Sequence, residues 1–84
     1  MPVARSKADI ICLAVYALTG GRLMQGRMVK TVSERLGITF HQALNLAEAA
    51  AKAGLIHLEH GSSVSLTEKG RLRGATLTSP GTEA

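Results

Sequence analysis

Residues 36–39, which read LGIT, constrain the fold of this chain more than any other segment, because they separate two stretches of helical periodicity. Gly37 permits the left-handed backbone conformation that ends a helix. Thr39 can cap the next helix, with Gln42 completing a capping box, and Ile38 can plug the corner between the two. Helices joined by so short a turn cross steeply and leave the second one exposed.

Apolar residues recur at helical spacing on both sides of this turn. A first helix begins after Ser6, a capping residue, and ends before Thr19-Gly20-Gly21. The third helix places small apolar residues on one side and polar residues on the other. We therefore expect helices over residues 7–18, 27–36 and 39–53, with a short strand over residues 22–25.

The chain after the third helix has the pattern of a β-hairpin. Residues 55–59 and 64–66 alternate between apolar and polar side chains, and a Gly-containing turn separates them. Thr67 can cap a last short helix, which Gly70 and Gly74 weaken. The predicted fold is mainly α with a small β-hairpin: one domain over residues 1–77 with a three-helix core, followed by a disordered tail over residues 78–84.

Length, charge and cysteine content limit the class of protein. A chain of 84 residues forms one small domain, and its net charge of +4 favours polyanionic partners such as nucleic acid. The single cysteine, Cys12, fits a reducing cytoplasm. The apolar run over residues 8–18 is too short to span a bilayer. We expect a cytoplasmic protein without a membrane partner.

The sequence predicts neither an enzyme nor a metal or cofactor site. It contains no Ser-His-Asp arrangement in a supporting context, no phosphate-binding loop and no paired acids in a plausible cleft. His57 and Glu59 share one face of a strand, but His60 lies in the turn and Cys12 in the first helix. These side chains do not form an obvious convergent ligand set.

Three short motifs carry a resemblance to a known family. They are ERLGIT at the turn, AKAGLI after the third helix and VSLTEKG after the hairpin, and they fall within residues 32–70. In this order and spacing they resemble bacterial winged helix-turn-helix regulators. The chain is similar to the multiple-antibiotic-resistance-type repressors and their small relatives. The hairpin over residues 56–66 would then be the wing.

The resemblance implies that the chain binds duplex DNA and regulates transcription as a repressor. We expect a homodimer, because one recognition helix contacts too few bases for high specificity. Residues 39–53 would be the recognition helix in the major groove, with the wing along the backbone or minor groove. Gln and Asn suit adenine edges, and Thr and His suit bases or phosphates. The residues placed nearest the bases are Thr39, His41, Gln42 and Asn45, and those at the wing tip are His60, Ser62 and Ser63.

Cations are few where the family usually carries them. The recognition helix has only Lys52 on its exposed face, and the wing has none. We therefore expect Arg27, Lys30 and Arg35 around the second helix to contact phosphates. The same shortage leaves an alternative, a winged-helix module that binds a protein partner.

Two apolar residues of the third helix have different expected roles. Phe40 lies beside the apolar face, so we expect it to pack. Leu44 lies between the two faces of the helix. It could extend the core, touch a thymine methyl group or mark a protein interface.

Overall fold

The computed structural model describes residues 6–78. These residues form four helices and one three-stranded antiparallel sheet, so the mainly helical fold with a small hairpin is confirmed. The expected disordered tail lies outside the described residues, except for Thr78, which ends the last helix. The elements are α1 (Lys7–Thr19), β1 (Arg27–Met28), α2 (Val29–Leu36), α3 (Phe40–Lys52), β2 (Ile56–Glu59), β3 (Ser63–Leu66) and α4 (Glu68–Thr78).

The segment before α2 differs from the prediction. The expected strand over residues 22–25 is reduced to one bridge between Leu23 and Leu66, and the paired residues are Arg27 and Met28. The backbone N–H of Val29 donates to the Ser62 carbonyl at 2.8 Å. The backbone groups of residues 27–29 thus bond to the hairpin rather than within a helix, and α2 begins two residues later than predicted. Arg27 is therefore a sheet residue.

The core is built from small and branched apolar side chains of α1, α2, α3 and the hairpin. Ala43, Ala47 and Ala50 of α3 are completely buried, so α3 can lie close to its neighbours. Strand β3 lies between β1 and β2 in the sheet. The remaining core side chains are Ile11, Cys12, Ala14 and Val15 of α1, Val29 and Val32 of α2, and Leu55, Ile56, Val64 and Leu66 around the hairpin.

Helix α4 meets the rest of the domain through its two glycines. A Cβ atom at Gly70 would overlap the carbonyl oxygen of Leu55 and lie 2.8 Å from its carbonyl carbon. A Cβ atom at Gly74 would overlap the ring of Tyr16, with ring atom Cγ at 2.7 Å. The glycines that lower the helix propensity of α4 are thus the residues that let it pack.

The Cys12 side chain lies in the interface between α1 and α4. Its Sγ donates to the Gly70 carbonyl at 3.3 Å, and the residue is fully buried. Burial raises the pKa of the Cys12 thiol, so the neutral form is favoured. Cys12 is therefore a packing residue of low reactivity.

A bidentate ion pair also joins α4 to α1. Arg73 donates from Nε and Nη2 to the two carboxylate oxygens of Asp9, each at 2.9 Å. The Asp9 side chain is only 11% exposed, whereas that of Arg73 is 45% exposed. The hydrogen bond from the Arg73 guanidinium lowers the pKa of the Asp9 carboxyl below its usual value. Folding therefore favours the ionised form of Asp9.

We expect Asp9→Asn to lower the melting temperature at about pH 7, and the difference from wild type to shrink in acid. Because folding lowers the pKa of Asp9, the stabilisation is complete above the unfolded pKa of about 4 and is lost as the pH falls through the folded pKa. Thermal unfolding followed by circular dichroism across this range measures the effect.

Glu68→Gln is the matched control, because Glu68 pairs with Arg71 on the surface of α4 and not with another helix. Both side chains are largely exposed, so this substitution should change the melting temperature little at any pH. A difference between Asp9→Asn and wild type that stays constant down to about pH 2 would contradict the assignment.

Candidate nucleic-acid interface

A capping box fixes the start of α3, as the sequence predicts. The Thr39 hydroxyl oxygen accepts from the Gln42 backbone N–H at 3.1 Å, and Gln42 Oε1 accepts from the Thr39 N–H at 3.0 Å. Gly37 has a left-handed φ of 70°, and the Ile38 N–H donates to the Ser33 carbonyl at 3.0 Å. The start of α3 is therefore fixed by two reciprocal hydrogen bonds between Thr39 and Gln42.

The two faces of α3 are sharply different. The alanines at positions 43, 47 and 50 are buried, and the opposite side of the helix is exposed. At its N-terminus, four consecutive residues are exposed, and their side chains include a hydroxyl, an imidazole and an amide. This exposed face carries Thr39, Phe40, His41, Gln42, Asn45, Glu48 and Lys52.

The two apolar residues at the edge of this face have different environments. Leu44 is half-buried and packs against the core, as the first of its three possible roles predicts. Phe40 was predicted to pack beside the apolar face, but 44% of it is exposed. The prediction is wrong because burial along α3 begins only at Ala43, so the first turn extends past the core.

Lys7 is a cation that the sequence did not place at this surface. A shallow groove between α1 and α3 is lined by Lys7, Gln42 and Asn45, with Ile38 and Leu46 as its apolar part. The N-terminus of α1 therefore brings a positive charge beside the exposed amides of α3. Local sequence patterns give no signal for this, because twenty residues separate the end of α1 from the start of α3.

The cations expected to contact phosphates are dispersed. Arg27 donates from Nη2 to the Leu18 carbonyl at 3.1 Å and from Nη1 to the Gly26 carbonyl at 2.9 Å, so it links the end of α1 to β1. Arg35 lines a different groove, with Ile10 and Leu13 on the outer side of α1. Lys30, on α2, is exposed.

The hairpin tip is bonded to the start of α2. Its turn has positive φ at His60 (55°) and Gly61 (68°). The Ser62 carbonyl accepts from Val29, and Ser63 pairs with Met28 in the sheet. His60 is exposed, whereas Ser62 and Ser63 are half-buried. The tip is therefore bonded to Val29, the residue before Lys30, and does not project freely.

Residues 6–78 contain neither a candidate metal site nor a candidate membrane span. No group of three or more His, Cys, Asp or Glu side chains in this part of the chain is placed to hold a metal ion. None of its helices combines the length and apolar character that crossing a bilayer requires.

No protein-family model, curated protein or solved structure matches the chain. The resemblance of its motifs to winged helix-turn-helix regulators therefore stays a prediction. The features of the molecule that bear on its function are the exposed face of α3 and the cations around it.

Proposed function

We propose that this chain is a small transcriptional regulator of the winged helix-turn-helix type that binds duplex DNA. The observation that carries the proposal is the exposed, capped face of α3 with Lys7 beside it. An exposed helix held by a tight turn against a second helix has the geometry that enters a major groove. The β2–β3 hairpin would be the wing.

The side chains on this face suit base edges. An Asn or Gln amide both donates and accepts, and so matches adenine N6 and N7. Gln42 Oε1 already accepts the Thr39 N–H, which leaves its amide nitrogen as a donor. Asn45, one turn further on, would supply the bidentate contact. Thr39 and His41 would contact bases or phosphates.

Most of the affinity would come from cations outside α3. Lys7 would contact a phosphate next to the bases read by Gln42 and Asn45. Lys30 would contact the backbone together with the wing tip, because Ser62 is bonded to the residue before Lys30. Lys52 would add a contact at the far end of α3. Arg27 would contribute less to DNA affinity than its charge suggests, because its guanidinium already donates a hydrogen bond to the Leu18 carbonyl.

We also propose that the protein acts as a homodimer. One recognition helix contacts too few base pairs for high specificity, and two copies would read an inverted repeat. The outer side of α1 offers apolar surface for self-association, with Ile10 and Ala17 exposed and Leu13 half-buried.

The proposal predicts that single cations contribute unequally to DNA affinity. After selection of preferred sequences from a random duplex library, Lys7→Gln and Lys30→Gln should each weaken binding to all sequences. Each should reduce the slope of log affinity against log salt by about one unit, the effect of one lost phosphate contact. Fluorescence anisotropy over a salt series measures both quantities, and an inverted repeat in the selected DNA would indicate two bound copies.

Arg22→Gln is the matched control, because it removes one exposed charge at the other end of α1. The 13 residues of that helix separate the two ends by about 20 Å. This variant should keep the wild-type slope. Equal slopes for all three variants and wild type, without any enriched sequence, would refute DNA recognition by this face.

A second candidate is a module that binds a protein through the same face. It is favoured by the acidic groups there, because Glu48 on α3 and Glu59 on the wing are both exposed and the wing carries no Lys or Arg. Failure of the chain to be retained on duplex DNA or heparin at low salt would favour this candidate.

A further inference from the structure

Phe40 is an exposed aromatic residue on a surface that is otherwise polar. It is one of two aromatic residues in the chain, and the other, Tyr16, packs against Gly74. Phe40 is 44% exposed, and its neighbours Thr39, His41 and Gln42 are exposed and polar. Apolar area in water is unfavourable, so an apolar contact that covers this ring in the bound state would add to affinity.

The capping box defines where this ring is presented. Thr39 and Gln42, which bond to each other, flank Phe40 on both sides in the sequence. The hydrogen bonds between Thr39 and Gln42 therefore order the backbone of the first turn of α3. The Phe40 side chain extends from this ordered backbone. A side chain held in this way can contribute to specificity, because little freedom is lost when it makes its contact.

We propose that Phe40 recognises thymine by packing against the C5 methyl group in the major groove. This inference rests on the proposed DNA binding. The thymine methyl is the apolar group that bases present in the major groove, and Phe is among the side chains that contact it. The partner base, adenine, presents N6 and N7 on the same edge for the amides of Gln42 or Asn45. Phe40 and an amide would thus together select A·T pairs.

A contact with one methyl group fits the size of the exposed surface better than a protein interface. The other large exposed apolar side chains lie outside α3: Ile10 on α1, Leu23 and Met24 in the segment before β1, Met28 on β1 and Leu72 on α4. Leu44, one turn after Phe40, is half-buried against the core. Along α3, Phe40 is therefore bordered by polar residues and a half-buried leucine rather than by other exposed apolar residues of the kind that form protein-binding patches.

The test replaces each thymine of the selected duplex, one at a time, by deoxyuridine, which removes only the methyl group. With the wild-type protein, we expect about three- to fivefold weaker binding at one position in each half-site, the value of one buried methyl group. Phe40→Ala should bind the thymine and deoxyuridine duplexes with equal affinity at that position. Phe40→Leu, which keeps an apolar side chain, should retain part of the preference.

Leu72→Ala is the control, because it removes an exposed apolar side chain from α4. It should show the wild-type preference for thymine. Wild-type protein that binds a selected sequence but is indifferent to every thymine methyl would overturn the role of Phe40 and leave DNA binding standing. The same holds if Phe40→Ala keeps the full preference. Absence of any selected sequence would instead overturn DNA recognition, and the role of Phe40 with it.

Discussion

Gly70→Ala is expected to lower the free energy of unfolding by about 3 kcal/mol or more. In a helix, alanine normally stabilises relative to glycine by about 1 kcal/mol, so the expected sign is reversed. The reason is that the new Cβ atom would overlap the backbone carbonyl of Leu55. That carbonyl also accepts from the Thr67 N–H at 3.1 Å, next to the start of α4, so moving it would break a hydrogen bond. α4 would have to move away from the domain.

Urea denaturation followed by circular dichroism measures this loss. The control is Thr76→Ala on the same helix, whose side chain is exposed and bonds only to the Leu72 carbonyl. It should change stability by less than about 0.5 kcal/mol. A Gly70→Ala variant that is as stable as wild type would show that α4 does not approach Leu55 this closely.

Gly74→Ala should also destabilise, by about 2 kcal/mol, but for a reason that a second substitution can remove. Its Cβ atom would overlap the ring of Tyr16, a side chain rather than the backbone. In a Tyr16→Ala background the space is open, and the helix propensity of alanine should make Gly74→Ala neutral or stabilising by up to about 1 kcal/mol. The two substitutions should therefore couple by about 2–3 kcal/mol.

A double-mutant cycle of Gly74→Ala and Tyr16→Ala, measured by urea denaturation, gives this coupling directly. The contrast with Gly70 is part of the prediction, because Tyr16→Ala should leave the cost of Gly70→Ala unchanged. Effects of Gly74→Ala and Tyr16→Ala that simply add would show that the ring and α4 are not in contact.

The parts of the fold that depend on neighbouring residues were predictable from the sequence. The LGIT turn, the Thr39–Gln42 capping box and the alternating hairpin each produce a pattern within about ten residues. The alanine face of α3 follows from helical periodicity. Each of these features depends on residues that are close in sequence. A local sequence pattern therefore predicts it.

The remaining features depend on contacts between distant segments. The glycines of α4 indicate a weak helix until Leu55 and Tyr16 are known to lie against them. Arg27 and Met28 look helical, but their strand partners, Val64 and Ser63, are more than thirty residues away. The charge of Arg27 predicts a phosphate contact, but no sequence pattern indicates that its guanidinium donates to the Leu18 carbonyl.

The residues of the candidate site also fall into two groups: those that a local sequence pattern predicts and those whose position depends on distant segments. The polar residues of α3 could be identified from one helical wheel, and the structure places them on one exposed face. The exposure of Phe40 depends on where burial along α3 begins, which the neighbouring elements decide. The position of Lys7 depends on how α1 crosses α3, and no pattern within either helix specifies that crossing.

The hydrogen bond between Val29 and Ser62 has a consequence for the entropy of binding. It joins the hairpin to α2, and the turn at Gly37 joins α2 to α3. The two surfaces proposed to meet DNA therefore belong to one ordered body and need not be aligned after encounter. If DNA binds as proposed, no conformational entropy would be lost in aligning the two surfaces, so a few weak phosphate contacts would contribute more to affinity than they would on surfaces that move independently.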